Sequence, residues 1–463
     1  MEKLKSYGIS GELLNWLKNY LCNRQQKVFV NNSTSQFGLI KAGVPQGSIL
    51  GPLMFLIYIN DIANIFDSAS RLFADDTSLQ TSSASCHQIQ TTLNKDLESL
   101  NIWAKSWLVT LNPNKTHVLF ITNANAVDEV IELTFDDNFL DFTDKHRHLG
   151  ITLNSDAKWG DHIEEMFKSV LKKVNVLRKL KFTLKRDSLL KIYKTFILPV
   201  LEYGCELWDG CSSFDSGRLE KIQLEAARII TGLPLYVKVD ALYMETGLEK
   251  LSVRRKRRKL QLLYKMHNHL TPDYLTSLLP PTVGENNRYV FRNNQNYRIP
   301  YYRLSLTNSS FLPSTLHDWN NLDLSIRSSA SLDIFKKAIT PEQFSVPSYF
   351  NTGDRYLNIL HTKLRYECSP LQYDLFRAKL VENPKCSCGY PCENAYHLFF
   401  DCNLFLNQRH VLFQFLNQLN VEINLKLILF GNDTLSVDSN SELFRQVQNF
   451  LRSSSRFITD LPC

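Results

Sequence analysis

GVPQGSILGPLMFLIYINDI occupies residues 43–62, and RLFADDTSLQ follows at 71–80. The first stretch is a loop punctuated by Gly and Pro that runs into an apolar helix from Leu53 to about Ile65. Gly43, Gly47 and Gly51 permit backbone conformations closed to other residues, or close approach of a ligand. Gln46 offers an amide that can hydrogen-bond a base edge or a sugar. The second stretch predicts a hairpin, with an apolar run, Asp75 and Asp76 at the tip, and then Thr, Ser and Leu. Leu72–Ala74 would bury the base of this hairpin and fix the acids at its exposed end. Neighbouring side chains on a strand face opposite ways, but at a tip one carboxylate can enter a cleft while the next still reaches a metal. Two Mg2+ ions about 4 Å apart need carboxylates from more than one strand. Taken singly, Asp-Asp also suits a solvated turn, and the glycine loop also suits a plain turn before a helix.

Outward from this core the pattern is mixed. Residues 1–22 predict helix, with Leu4, Ile9, Leu13, Leu14, Leu17 and Leu21 at mostly helical spacing. Strands are expected at Gln26–Val30 and Gln36–Ile40, joined by a turn at Asn31, Asn32 and Ser33. Helix returns over 87–109, followed by the LNPNKT turn and strands at 117–122 and 149–153. From Asp161, a plausible N-cap, to Leu180, the apolar residues Ile163, Phe167, Val170, Val174, Leu177 and Leu180 share one helical face. Further helices are expected at Leu189–Leu201 and Ser216–Ile230. Residues 280–353, with Pro280–Pro281 and the amides Asn293, Asn294, Gln295 and Asn296, read as linker or weakly structured chain. A cysteine-bearing helical segment runs from 354 to 420, and the tail carries one amphipathic helix at Leu443–Leu451.

The chain has 463 residues, enough for two or three domains, with a net charge of +7 that suits a polyanion partner without requiring one. The N-terminus lacks a long apolar core, so a secretory signal is not expected. The most apolar run, 53–59, is far shorter than the roughly 20 residues that span a bilayer. No membrane association and a location in the nucleus or cytoplasm are therefore expected. Ten cysteines without a secretory signal suggest free thiols.

Two further clusters carry chemistry. Arg254, Arg255, Lys256, Arg257, Arg258 and Lys259 are six consecutive cations inside a predicted helix. They wrap the whole helix and suit the phosphates of an RNA–DNA duplex or a nuclear-localisation role, rather than one solvated face. Cys386, Cys388, Cys392, His397 and Cys402 offer five candidate ligands where Zn2+ takes four in a tetrahedron. Cys388, Cys392, His397 and Cys402 come close to a zinc knuckle, but the first gap is one residue too long.

The order PQGSILGPLMFLIYINDI, FADD, LNPNKT, HLGITL resembles reverse transcriptases of non-LTR (LINE) retrotransposons, near the jockey-like group. FILPVLEYGCELWD at 196–209, the basic run and SFLPSTLHDWNNL at 310–322 extend the likeness over nearly the whole chain. The resemblance implies an RNA-directed DNA polymerase acting on an RNA template, a DNA primer and deoxynucleoside triphosphates. It implies an α+β fold: a partial right-hand palm at 1–155, with an antiparallel sheet and helices, and a mainly helical thumb at 156–279. The 280–353 linker and a cysteine/histidine module within 354–463 would follow. Asp75 and Asp76 would be catalytic Mg2+ ligands. Pro45, Gln46 and Gly47 would contact template and nucleotide, and Lys115 would lie near the nucleotide's phosphates or serve as a surface turn lysine. The family's C-terminal motif favours Cys386, Cys388, His397 and Cys402 as the zinc set, with Cys392 as the alternative ligand.

The family also has a third aspartate on a strand upstream of the segment matching Leu4–Gly11. Residues 1–60 contain no aspartate, only Glu2 and Glu12. The expectation is an N-terminally truncated polymerase with an incomplete metal site and no activity of its own. The alternative is a non-catalytic nucleic-acid-binding relic of such an element.

Overall fold

The first helix of the chain breaks at its glycines. In the computed structural model, Glu2–Ser6 (α1) and Gly11–Leu21 (α2) are separate, because Gly8 and Gly11 adopt φ of 82° and 63°. Such left-handed backbone is costly for other residues and ends a helix. The structure describes residues 1–122, 131–285, 294–340 and 346–457. It divides into two units: Met1–His146 with Asn154–Ala157, and Arg147–Leu153 with Lys158–Cys463.

In the first unit, β1 (Gln25–Gln26), β2 (Phe29–Val30), β3 (Ser33–Thr34) and β4 (Gly38–Leu39) form one interrupted hairpin. Phe29 pairs with Thr34 and Gln25 with Leu39, so the register slips by one residue between the two ladders. A one-residue excess on one strand is a bulge. Asn31 and Asn32 turn the hairpin with φ of 48° and 61°, as asparagine tolerates. Leu50–Ile59 (α3) runs into a 3-10 turn at Asn60–Ile65. Ala69–Phe73 (β5) and Asp76–Gln80 (β6) make a hairpin, and Cys86–Trp107 (α4) follows. The short β7 (His117–Val118), β8 (Thr134–Phe135), β9 (Asn138–Phe139) and β10 (Asp141–Phe142) complete the unit.

An antiparallel sheet with helices is the expectation for the partial palm. The described residues instead form separate two-stranded ladders, and the β7–β10 pair is parallel. Most of these strands have two residues and offer few ladder bonds, whereas β5 and β6 have five each. The core comes from helix: Leu97, Leu100, Trp103 and Ala104 of α4 pack with Ile59, Ile62, Leu133, Phe135 and Leu140. One cation fastens α1 to this body. The Lys3 ammonium bonds Asp61 at 2.6 Å and lies 5.0, 4.9 and 3.8 Å from the ring centres of Tyr58, Trp103 and Trp107. A nearly buried ammonium (side chain 9% exposed) is tolerable only with such partners.

The second unit is helical. It opens with Gly160–Leu180 (α5) and Arg186–Ile192 (α6), a π-helical turn at Tyr193–Ile197, then Leu198–Glu202 (α7) and Cys205–Trp208 (α8). Ser213–Thr231 (α9), Val239–Thr246 (α10) and Leu251–His267 (α11) follow. Asp161 lies in the first turn of α5 rather than capping it; Trp159 holds the cap position. Ile163, Val170, Val174 and Leu177 pack with Leu189, Tyr193, Leu201, Trp208, Ala226 and Ile230 in one core.

The expected linker at 280–353 is largely folded where it is described, and that expectation is corrected. It carries Ser305–Ser309 (α12), Phe311–Asn320 (α13), Leu324–Arg327 (α14) and Leu332–Ala338 (α15). Tyr297, Leu316, Trp319 and Phe335 close a core against Leu260, Leu263 and Tyr264 of α11. Trp319 and Phe335 are 1% and 0% exposed. Asn293 of the amide patch lies outside the described residues. Arg355–Arg365 (α16), Leu406–Gln418 (α17) and Val437–Ser453 (α18) surround a further core with Phe399, Ile428 and Val447. Among the described residues no helix is long and apolar enough to cross a membrane.

A buried charge cluster ties these helices together. Glu245 of α10, 0% exposed, meets Arg186 of α6 at 2.9 Å and Arg365 of α16 at 3.1 Å, and accepts the Tyr349 hydroxyl at 2.9 Å. Burial alone would raise its carboxyl, but Arg365 and Arg186 outweigh that and hold it below the ordinary range. A depressed carboxyl contributes stability above its unfolded value of about 4.3, which is lost as pH falls through the folded value. Glu245→Gln leaves two buried guanidinium groups short of charge and should cost about 3–5 kcal/mol. In urea unfolding of wild type and variant, the gap between them should narrow as the solution is acidified below pH of about 4. A gap that is small at neutral pH would count against the cluster's role.

Candidate functional site

The hairpin of β5 and β6 is in register from Ala69↔Gln80 to Phe73↔Asp76, leaving Ala74 and Asp75 as its two-residue loop. Ala74 takes φ of 53°, as a tight hairpin turn requires. Asp75 and Asp76 are both exposed. Leu72 and Leu79 are half-buried against the α4 core, while Phe73 is 63% exposed, so only part of the expected apolar base is covered. Among the described residues, no third acid, histidine or cysteine joins Asp75 and Asp76 in a metal-sized group.

A residue that the sequence reading missed fixes the base of this hairpin. Asp96 of α4, 1% exposed, accepts the backbone N–H of Asp67 at 2.8 Å and of Ser68 at 2.9 Å. The carboxylate thus holds the chain just before β5 begins. A polar residue on the inner side of a helix was the available signal, but its partners are backbone groups that no sequence pattern reveals.

The glycine loop is shaped by Ser48. Its Oγ accepts from the Tyr20 hydroxyl at 2.6 Å and from Gly51 N–H at 3.0 Å, and donates to the Pro45 carbonyl at 2.7 Å. A Cβ on Gly51 would stand 2.7 Å from that carbonyl, so glycine is required there. Gln46 and Gly47 lie exposed on the loop and Pro45 is half-buried. Lys115 is exposed on a 3-10 turn that Asn112 caps.

Each of the six cations of α11 meets an acid within the fold. Arg255 bonds Asp209 at 2.6 Å, and Lys259 reaches the same carboxylate at 2.6 Å. Arg257 meets Glu249 at 2.7 Å, Arg258 meets Glu206 at 3.2 Å and Lys256 meets Asp318 at 2.6 Å. Arg254 grips Glu202. Arg255 and Lys259 are also buried, at 1% and 6% exposure. A cleft of about 500 Å³ borders Arg254, Arg257 and Arg258, but Glu202 and Glu206 line it too. Phosphates would have to displace carboxylates already in contact.

The cysteine segment does converge. Ligand atoms of Cys386, Cys388, His397 and Cys402 all lie within 4.8 Å of one another, and Cys392 is outside the group. Cys386 Sγ is 3.8 Å from Cys402 Sγ, and Cys388 Sγ is 3.3 Å from His397 Nε2. A tetrahedron with zinc–sulfur bonds of about 2.3 Å and zinc–nitrogen bonds of about 2.0 Å has edges of roughly 3.5–3.8 Å. The donors fit that frame in kind, and the Cys386–Cys402 and Cys388–His397 separations lie near its edges. Gly389, at φ of 93°, turns the backbone between the first pair and Tyr390, whose carbonyl accepts Cys386 N–H at 2.9 Å. Tyr390 stacks on His397 at 4.2 Å. Glu393 lies 3.9 Å from Cys386 Sγ and is itself held by Arg456 at 2.7 Å on both oxygens. Burial pushes the Cys386 thiol up to about 12, raises that of Cys402 and lowers His397.

Residues 1–153 match the reverse transcriptase (RNA-dependent DNA polymerase) family. The chain is 28% identical over 264 residues to a probable RNA-directed DNA polymerase from transposon BS of Drosophila melanogaster, covering 55% of this chain and 29% of that protein. It is 26% identical to the RNA-directed DNA polymerase from mobile element jockey of Drosophila funebris, over 52% of this chain and 28% of the relative. For the probable polymerase from transposon X-element of Drosophila melanogaster the figures are 25%, 50% and 26%. The chain therefore spans under a third of the length of these relatives.

Asp96→Ala should leave two backbone N–H groups unpaired at the root of the hairpin, at a cost of about 2–4 kcal/mol. Hydrogen exchange of the amides in 69–80 should speed up more than that of the α4 interior. Equal acceleration in both places would mean that Asp96 supports the unit generally rather than the hairpin.

Proposed function

With residues 1–153 belonging to the reverse transcriptase family, alongside relatives from jockey-like non-LTR elements, we propose that this chain contributes to RNA-directed DNA synthesis on a primed RNA template. The observation that carries the reading is the hairpin tip, two exposed carboxylates on a register-locked turn anchored by the buried Asp96. Asp75 and Asp76 are hard oxygen donors of the kind Mg2+ prefers. Pro45, Gln46 and Gly47, on a loop braced by Ser48, would face template and incoming nucleotide. Lys115 would meet the nucleotide's phosphates. Mg2+ would neutralise charge on those phosphates.

The donor number falls short of the kind. Two metal ions need carboxylates from more than one strand, and the described residues bring only this adjacent pair together. Asp75 and Asp76 are expected to bind one divalent ion, and extension to need a further carboxylate. Fe2+ in place of Mg2+, with peroxide, should cut the backbone near residues 75–76, and Asp75→Ala with Asp76→Ala should abolish the cut. No local cleavage would falsify the metal assignment. Primer extension on an RNA template with Mg2+ should give no incorporation from this chain. Incorporation that Asp75→Ala removes would show that the pair suffices.

Cys386, Cys388, His397 and Cys402 are assigned to one Zn2+. Four protein ligands leave no open position, so the ion would fold the segment rather than activate water. Metal analysis should find about one zinc per chain, lost in Cys402→Ser and kept in Cys392→Ser. Retention by the first variant or loss by the second would reassign the ligands.

A further inference from the structure

Trp103 and Trp107 stand one turn apart on α4, so their indoles share a face. Tyr58 lies in the last turn of α3, and Asp61 in the 3-10 turn after it. The Lys3 ammonium sits in the space between these four side chains. The ring centres of Trp107, Trp103 and Tyr58 are 3.8, 4.9 and 5.0 Å away. The ammonium donates to Asp61 Oδ1 at 2.6 Å and to the Tyr58 carbonyl. Three aromatic rings and a carboxylate around one cation are the arrangement that receives alkylammonium ligands. A lysine that only pinned a helix would need no more than the acid.

The walls of this cage are held without the lysine. Trp103 is buried and packs with Ile59, Ile62 and Leu97 in the core of the first unit. Its indole N–H donates to Asp61 Oδ1 at 3.2 Å, which aims the carboxylate into the cage. The Tyr58 hydroxyl donates to the Trp107 carbonyl, and the two rings meet edge to face with centres 6.1 Å apart. The lysine, by contrast, rides on α1, whose five residues cannot hold a helix by themselves. Leu4 gives α1 its apolar anchor, in a small cluster with Leu17 and Met54. The cage is thus a preformed receptor, and its occupant is on a weak support. Tyr58 is 38% exposed and the Asp61 side chain 41%, so the rim is open to solvent.

We propose that Tyr58, Asp61, Trp103 and Trp107 form a receptor for the ammonium of a lysine side chain from another polypeptide, and that Lys3 occupies it as a tethered competitor. The acceptors set the selectivity. A primary ammonium has three N–H groups, of which Asp61 and the Tyr58 carbonyl take two. A monomethylated ammonium has two N–H groups, keeps both bonds and turns its methyl to the rings. A trimethylated one has none and loses both bonds at the same charge. The site therefore takes unmodified or monomethylated lysine and rejects the trimethylated form. It does not depend on the polymerase reading.

The experiment is titration of the full chain carrying Lys3→Ala with butylammonium, N-methylbutylammonium and butyltrimethylammonium chlorides. Tryptophan fluorescence and the melting temperature are followed, with equal concentrations of sodium chloride as the reference. The first two amines should give saturable changes and raise the melting temperature. The third should bind about tenfold more weakly or worse, having lost both hydrogen bonds to its charge. Adding Asp61→Asn should weaken butylammonium about tenfold, since the amide can still accept from Trp103 but carries no charge. Wild type should need about tenfold more amine or above, because Lys3 competes from within the chain. No saturable change with Lys3→Ala, equal affinity for the trimethylated amine, an unaltered affinity with Asp61→Asn, or an equal response of wild type would overturn the proposal. If Lys3→Ala is unfolded, butylammonium should restore its far-ultraviolet circular dichroism and butyltrimethylammonium should not. Restoration by neither or by both would overturn the proposal equally.

Discussion

Glu245 is the charge around which the helical unit is organised. Its carboxylate, shut away from water, is met by guanidinium groups from α6 and α16 and by the hydroxyl of Tyr349. The guanidiniums are themselves fixed: Arg186 lies 4.2 Å from the ring centre of Phe350, and Arg365 lies 3.5 Å from that of Tyr349 and donates to the Leu429 carbonyl at 2.6 Å. Three ions in a dry interior are tolerable only if they meet in one geometry. That demand sets the placing of α6, α10 and α16 and brings the core around Trp208 together with the core around Phe399 and Ile428. Apolar packing supplies most of the burial energy, but it is forgiving of small slides between helices. The buried ions are not.

The basic run of α11 obeys the same rule on a larger scale. Read as sequence, Arg254–Lys259 has no nearby acid except Glu249. Its partners Glu202, Glu206 and Asp209 lie 46–52 residues away along the chain. They recur at i, i+4 and i+7 in the LEYGCELWD segment, which is an acidic stripe matched to the cationic helix. The stripe was visible in the sequence, but nothing local said that it faced α11. The pairs stitch α11 to the α7–α8 segment, and the partly exposed ones are worth little singly. Their collective effect is to fix one register for a helix whose cations would otherwise repel one another.

What was legible followed from short-range chemistry. The Asn31–Asn32 turn, the tight FADD hairpin and the helical face of α5 all depend on residues within a turn or two of each other. The closeness of Cys386, Cys388, His397 and Cys402 is also local, but their spacing left Cys392 as an equal candidate and only the family resemblance favoured this set. The illegible parts depend on distant partners. Trp319 and Phe335 looked like scattered aromatics in a polar stretch, because the wall they pack on, Tyr264, belongs to α11. Nothing in the sequence marks the groups that Asp96 and Ser48 bind. Each is defined by what accepts or donates across the fold.

The two lysine- and arginine-rich segments therefore separate by pairing rather than by density. The six cations of α11 have the higher local charge and the lower external field, since each is cancelled within a few ångströms. The cations on α5 are sparser, yet Lys172, Lys173 and Lys179 have no carboxylate within ion-pair distance among the described residues. A phosphate backbone responds to the uncancelled potential, and counterions condensed on it are released only by charges free to replace them. On that criterion the six paired cations of α11 present little uncancelled charge to a phosphate.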